Sequence, residues 1–433
     1  MLTVAVVGSG PSGIYTAEAL LKARPGEVRI DVYDRLPAPY GLVRYGVAPD
    51  HLKIKSVTRA LAKTLSDPAV RFLGDVEVGA APTVDELRAA YDVVVWAFGA
   101  ALDRRLGIEG EDLHGSFSAV EFVSWYSGHP DSEVERYTLD ATSAVVVGAG
   151  NVAVDVARML VVGTGHLLPT DVPDQVMRVL AASTIADVHV IARRGPAQAK
   201  FTTKELRELG EIDGVDVVVE PFELDPASAA EVEEHRDVAR NVEVLREFST
   251  RMSTGAPRRL HLHFWTAPTA LLGTDRVEAV RCDRTALVDG RAKPTGQTVD
   301  IPAEIVFRAV GYRGASIPGV PLDDDEGVIP NSDGRVLRDG EVSRGEYCVG
   351  WIKRGPTGVI GTNRSDAADT VASILADHPD GGTHASVPDL VPHVDWQGWL
   401  AIDAAETAAG EALGRDRVKL ALWEELRAAA RAR

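Results

Sequence analysis

Two glycine-rich runs share a spacing suited to a dinucleotide, and they lead to strand ends of opposite charge. Gly8-x-Gly10-x-x-Gly13 follows an apolar run over 4–7, and Asp34 stands 21 positions beyond Gly13. Gly148-x-Gly150-x-x-Ala153 follows an apolar run over 144–147, and Arg193 and Arg194 close the apolar run 188–192. At such a turn the free N–H groups and positive end of a helix attract a pyrophosphate, and glycine lets the backbone come close. An acid at the next strand end accepts hydrogen bonds from a ribose hydroxyl, whereas paired guanidinium groups match a 2′-phosphate. The expectation is two different dinucleotides on one chain. A flavin would sit at Gly8, Gly10, Gly13 and Asp34, and NADP(H) at Gly148, Gly150, Arg193 and Arg194, with Lys200 and Lys204 adding charge.

Three further features carry potential chemistry. The run Gly355-Pro-Thr-Gly-Val-Ile-Gly-Thr-Asn363 precedes a helix expected over 365–376, whose N-terminus suits the electron-rich edge of a reduced flavin. Gly358 lets backbone approach a flat ligand, and Trp351 is either core or the plane that covers it. His51 follows a Pro/Gly-rich stretch, 36–49, read as a loop over a ligand. Glu205 and Glu208 lie at i, i+3 on a short helix over 201–209, so both reach one side. A carboxylate beside His51 would orient it; spacing alone does not bring them together.

The elements that must hold these residues read as strand, glycine turn, helix, strand, twice over. A helix over 52–64, a strand pair over 69–78 and a buried strand ending at Trp96–Gly99 complete the first unit. The second adds an inserted helix near 171–183, a solvated charged helix over 227–251, and strands near 259–266, 277–281 and 304–310. Strands ending in small residues at Trp96–Gly99 and Ala309–Gly311 mark two crossings. The fold class expected is therefore α/β, with two Rossmann-like dinucleotide-binding domains, the NADP domain (103–315) inserted into a discontinuous FAD domain (1–102 and 316–433). The stretch 385–433 reads as a helical extension.

Bulk properties narrow the function. At 433 residues the chain exceeds one ordinary core, and its 45% hydrophobic and 25% charged composition is that of a globular protein. A net charge of −18 argues against nucleic-acid binding. No apolar run reaches the ~18 residues of a membrane span. The first fingerprint starts at residue 4 and leaves no room for a removable leader, so a cytoplasmic location is expected. The two cysteines, Cys282 and Cys348, form no C-x-x-C pair, so electrons leave by a route other than a redox disulfide. The eleven histidines show no H-x-x-x-H spacing, and no metal is expected.

Over nearly its whole length the chain resembles the adrenodoxin reductase-like family of ferredoxin–NADP reductases, particularly the bacterial branch. The resemblance rests on Gly8–Ser12, Pro39–His51, Gly150–Arg158, Arg193–Pro196, Phe201–Leu209 and Gly350–Asn363. It implies an FAD enzyme that takes a hydride from NADPH and passes single electrons to a ferredoxin-type iron–sulfur protein, with a cytochrome P450 as one conceivable consumer. Carried over by motif, FAD contacts include Ser12, Asp34, Leu42, Val78, Trp351, Gly358, Val359 and Ile360. NADP contacts include Arg104, Gly150, Asn151, Val152, Arg193, Arg194, Glu205 and Gly358. His51 and Glu208 match the family's active-site pair. The family often carries Glu where Asp34 stands, a shorter reach toward the ribose. A basic dock for the acidic carrier is expected from Lys53, Lys55 and Arg354. Rival readings are reduction of a small acceptor such as a quinone, an electron-input domain like that of glutamate synthase, and a non-catalytic FAD sensor.

Overall fold

The computed structural model describes residues 1–384 and 390–432. The expected extension 385–433 therefore falls partly outside the described residues. Two large sheets organise the chain. The first has seven strands, in the order Asn331–Ser332, Arg335–Arg338, Glu341–Cys348, Val93–Trp96, Leu2–Val7, Val28–Tyr33, Val70–Leu73, with its last five strands parallel. The second has six parallel strands, in the order Ser116–Ser118, Ile305–Arg308, Ser143–Val147, Asp187–Ile191, Arg258–His263, Val215–Val219. All strands of the second sheet lie, in sequence, between those of the first.

Parallel strands are stable only with both faces covered, and their sequences show it. Along Leu2–Val7, Val4 and Val6 face the helices Pro11–Ala23 and Thr362–Asp377, while Ala5 and Val7 face a second core containing Leu87 and Ile352. In the second sheet, Val146, Val188 and Leu260 meet the helix Asn151–Val161. Val145 and Ile191 pack beneath an antiparallel meander of Thr266–Leu272, Ala279–Val288 and Arg291–Pro302. The chain passes between the sheets at Leu102–Asp103 and Tyr312–Arg313, which pair with each other, Tyr312 opposite Asp103.

Several expectations change. The strand pair over 69–78 is one strand, Val70–Leu73, because Asp75 takes a left-handed conformation (φ 60°) and turns the chain. The loop 36–49 contains one helical turn, Leu42–Tyr45. The charged helix over 227–251 is two helices, Pro226–Glu234 and Arg236–Thr250, and the second buries Val244, Leu245 and Phe248 rather than lying solvated. Of the meander only the middle strand was expected, near 277–281; the charged residues exposed on Arg291–Pro302 hide the alternation of that strand. No helix among the described residues is long and apolar enough to cross a membrane.

Two charged groups of the C-terminal stretch are buried. Glu406, on the helix Trp396–Glu411, is fully buried against the Arg44 guanidinium. The Lys419 ammonium donates to the carbonyls of Arg44 (2.7 Å) and Ser127 (3.0 Å) and meets Asp171 at 3.0 Å. It thus ties the loop over the first glycine turn to the segment that bears the second sheet.

Candidate active site

The two glycine turns are built alike. Each lies at the carboxyl end of a central strand, where the strand order reverses, the usual place for a ligand in an open α/β sheet. Gly8 (φ 118°) and Gly148 (φ 143°) close the turns; a Cβ there would stand 2.4 Å from the Ala97 carbonyl oxygen and 2.3 Å from that of Ala309. Gly10 and Gly150 instead face open space, where a Cβ would meet no protein atom within 4 Å. The helices that follow, Pro11–Ala23 and Asn151–Val161, have no side-chain cap and no acid in the first turn. Their N–H groups are left for an anion, and both cradles fit a pyrophosphate.

The strand ends differ. Asp34 is engaged by the protein: its Oδ2 accepts from the Ser9 N–H (2.9 Å) and hydroxyl, and its Oδ1 accepts from the Leu36 N–H (2.9 Å). Burial raises its pKa, against the pull of those donors. Asp34 therefore braces the first turn from within, and its Oδ1, which accepts only from Leu36, keeps a lone pair. Arg193 is exposed and Arg194 half-buried, and neither side chain has a hydrogen bond or ion pair among the described residues. Their carbonyls are anchored instead, Arg193 O by the Thr285 hydroxyl (2.7 Å) and Arg194 O by the Trp265 N–H. Lys200 is exposed. Lys204 pairs with Glu208 at 2.8 Å rather than standing free.

Several of the remaining candidates lie beside the first turn. The Tyr40 N–H donates to Ser9 O, which lays the loop across that turn. Gly350 lies against the Ser12 hydroxyl, so Trp351 arrives beside the first helix. The Trp351 indole donates to Thr357 O (3.2 Å), and its ring rests on Tyr312, centroids 5.4 Å apart. Val78 is buried and Leu42 half-buried, while Val359 is 61% exposed. Arg104 donates to Glu326 O (2.9 Å), and Asn151 Oδ1 accepts from the Thr202 N–H that opens the Glu205 helix.

Around His51 the fold assembles a cluster that spacing could not reveal. His51 is buried, and its Nε2 lies 3.3 Å from Glu205 Oε2, 3.5 Å from Glu208 Oε2 and 2.8 Å from Arg158 Nη2. Sequence reading missed Arg158 and Asp155. The signal was their i, i+3 spacing on the helix that opens at the second fingerprint, where Arg158 binds Asp155 (2.7 Å) and also Asp50. Burial, then the Asp155 charge, raises the pKa of Glu205; burial raises that of Asp155. The buried Glu205 Oε2 and Glu208 Oε2 have no hydrogen-bond donor among the described residues. A guanidinium only donates, so the Arg158 contact calls for a lone pair on His51 Nε2. A proton placed on Nε2 would turn that contact repulsive and give Glu205 and Glu208 the donor they lack. The cluster can therefore hold or move one proton at Nε2.

The proposed dock is narrower than expected. Lys55 is half-buried in an ion pair with Asp171, Lys53 is exposed with no side-chain partner among the described residues, and Arg354 is held by Asn363 (2.7 Å).

Comparison with known proteins agrees with this geometry. The family model described as pyridine nucleotide-disulphide oxidoreductase matches residues 2–221. NADPH-ferredoxin reductase FprA of Mycobacterium tuberculosis is 45% identical, with 98% of each chain covered. The mitochondrial NADPH:adrenodoxin oxidoreductase of Homo sapiens is 39% identical, covering 98% of this chain and 91% of its own. The solved structure of Mycobacterium tuberculosis FprA in complex with NADPH has a TM-score of 0.93 at 44% identity, with 99% of each chain covered. The chain belongs to the pyridine nucleotide-disulphide oxidoreductase family, in its adrenodoxin reductase-like branch. Despite the family's name, Cys282 lies in the meander and Cys348 in the first sheet, both buried and free, with burial pushing each thiol up to about 12.

Proposed function

We propose that the chain is an FAD-dependent NADPH–ferredoxin reductase, an oxidoreductase that passes electrons from NADPH to a ferredoxin-type iron–sulfur protein. The observation that carries this reading is the pair of open, uncapped cradles in two sheets, one ending at the engaged Asp34 and the other at the free Arg193 and Arg194. FAD, when bound, supplies the conversion between two-electron and one-electron transfer.

The chain's own residues bind and orient. The Gly8–Gly13 turn would hold the FAD pyrophosphate, with Ser12, Trp351 and residues 358–360 beside the ring. The Gly148–Ala153 turn would hold that of NADPH, with Arg193 and Arg194 on its 2′-phosphate. His51, Glu205, Glu208 and Arg158 would position the nicotinamide and hold a proton at His51 Nε2. The FAD unit would comprise 1–102 and 316–433, and the NADP unit 103–315. Further steps in this reading are a cytoplasmic setting and, beyond the ferredoxin, a cytochrome P450; reconstitution of all three proteins would test the latter.

The purified protein should be yellow and should reduce an acidic ferredoxin with NADPH far faster than with NADH. Salt should slow that reduction steeply, whereas reduction of a neutral quinone should change little. A colourless protein that takes up no FAD, or an acceptor preference for quinone without salt dependence, would overturn the reading.

A further inference from the structure

Away from His51, three histidines meet on the meander side of the second sheet. His261 and His263 stand two apart on Arg258–His263, and the alternation of a strand puts both on one face. His189, on the adjacent parallel strand Asp187–Ile191, lies in register with His261. One ring nitrogen from each lies within 4.8 Å of the others, and His189 Nδ1 is 3.0 Å from His263 Nε2. All three are half-buried, within reach of a small ion yet partly shielded from water. Behind them, Asp187 Oδ1 lies 2.8 Å from His261 Nε2. That carboxylate holds Nε2 as the donor and leaves Nδ1 with the lone pair, as carboxylates commonly do behind metal-bound histidines.

We propose that His189, His261 and His263 form a site for one divalent transition-metal ion of the zinc class, with Asp187 fixing the tautomer of His261. The donor set selects the ion, since three imidazoles suit zinc, nickel or copper, whereas magnesium and calcium require oxygen. Metal ligation needs unprotonated ring nitrogens, and the contact between His189 Nδ1 and His263 Nε2 already requires one of the two to offer a lone pair. Neighbouring cations are already balanced: Arg259 makes a two-point contact with Asp187 (2.6 and 2.5 Å), and Arg284 faces Glu220 at 3.6 Å. The three rings lie nearly parallel, at 12–25° to one another. Convergence on one ion requires turning about the terminal side-chain torsion, which is broad and soft for histidine. The His189–His263 hydrogen bond is exchanged for two metal bonds, and its proton moves to the other nitrogen of the same ring. A bound ion would pin together two strands just below the end that carries Arg193 and Arg194. The spacing escaped a search for helical pairs because two ligands come from i, i+2 on one strand and the third from its neighbour.

The test uses the flavin-loaded protein, stripped with a chelator and titrated with zinc by calorimetry, with metal analysis of the product. One zinc per chain is expected, with affinity falling more than about 100-fold in His189→Ala and in His263→Gln, and about 10–100-fold in Asp187→Asn. An unchanged flavin spectrum identifies folded variants, and His263→Gln is the gentler of the two should His189→Ala fail to fold. Glu208→Gln should leave zinc binding unchanged. Absence of binding, binding that survives His263→Gln, or binding lost in Glu208→Gln would each overturn the assignment.

Discussion

The two glycine turns have one backbone plan and opposite finishes. At the first, the acid at the strand end is held by Ser9 and Leu36, and the loop bearing Tyr40 lies across the turn. At the second, the guanidinium groups have no partner among the described residues and the strand end is open. A site closed by its own chain suits a group that stays; a site with free charges suits one that arrives and leaves. The pyrophosphate cradle is thus generic, and the strand end sets what each unit binds and how firmly.

The strongest way to break this comparison is to fill one cradle at a time. Because Gly10 and Gly150 face open space, Gly10→Val should fold but retain almost no FAD, and Gly150→Val should stay yellow while losing more than about 100-fold in NADPH binding. Flavin absorbance after gel filtration and NADPH titration would check both, and loss of FAD in Gly150→Val would break the division of labour.

Next in size is the charge. Arg193→Ala with Arg194→Ala removes charge-assisted hydrogen bonds worth about 1.5–3 kcal/mol each, enough to erase most preference for NADPH over NADH while FAD stays bound. Comparison of kcat/KM for the two nucleotides measures it, and a retained preference would refute the clamp.

A smaller effect is expected at the tie between the regions. Lys419→Met leaves two buried carbonyls and Asp171 short of a donor, although Lys55 still pairs with Asp171. It should cost about 2–4 kcal/mol in a denaturant titration. A change in both FAD retention and NADPH binding would show that the tie sets how the two units meet; unchanged stability would show that it does not.

The smallest effect is the response to acid. Burial pushes His129, packed on Tyr45 of the loop, down to about 4. The unfolded imidazole takes its proton near about 6.5, so between these values the unfolded state binds more protons. This contribution, roughly 2–3 kcal/mol, is complete above about pH 6.5 and is lost as pH falls through about 4. His129→Gln should flatten that part of the stability profile in thermal melts at graded pH.

The fingerprints were legible in the sequence because their chemistry is local: a strand, three small residues and a helix start lie within about a dozen positions. The nesting of the units was legible for a similar reason, since small residues mark both crossings. What stayed hidden depends on tertiary contact. Arg158 looked like an ordinary helical cation until the fold set it between Asp50, Asp155 and His51. Glu406 and Lys419 sit in a terminal stretch expected only to be helical, and each is buried against a partner far away in sequence. Asp34 was legible by position, while its hydrogen bonds to Ser9 and Leu36 depend on how the turn closes.

The most direct test of distinct cradles is a titration of the flavin-loaded protein with 2′,5′-ADP and with 5′-ADP. The account predicts at least about 30-fold tighter binding of the 2′-phosphorylated ligand, about 2 kcal/mol, with the flavin fully retained. Equal affinity for the two, or displacement of the flavin by either, would contradict it.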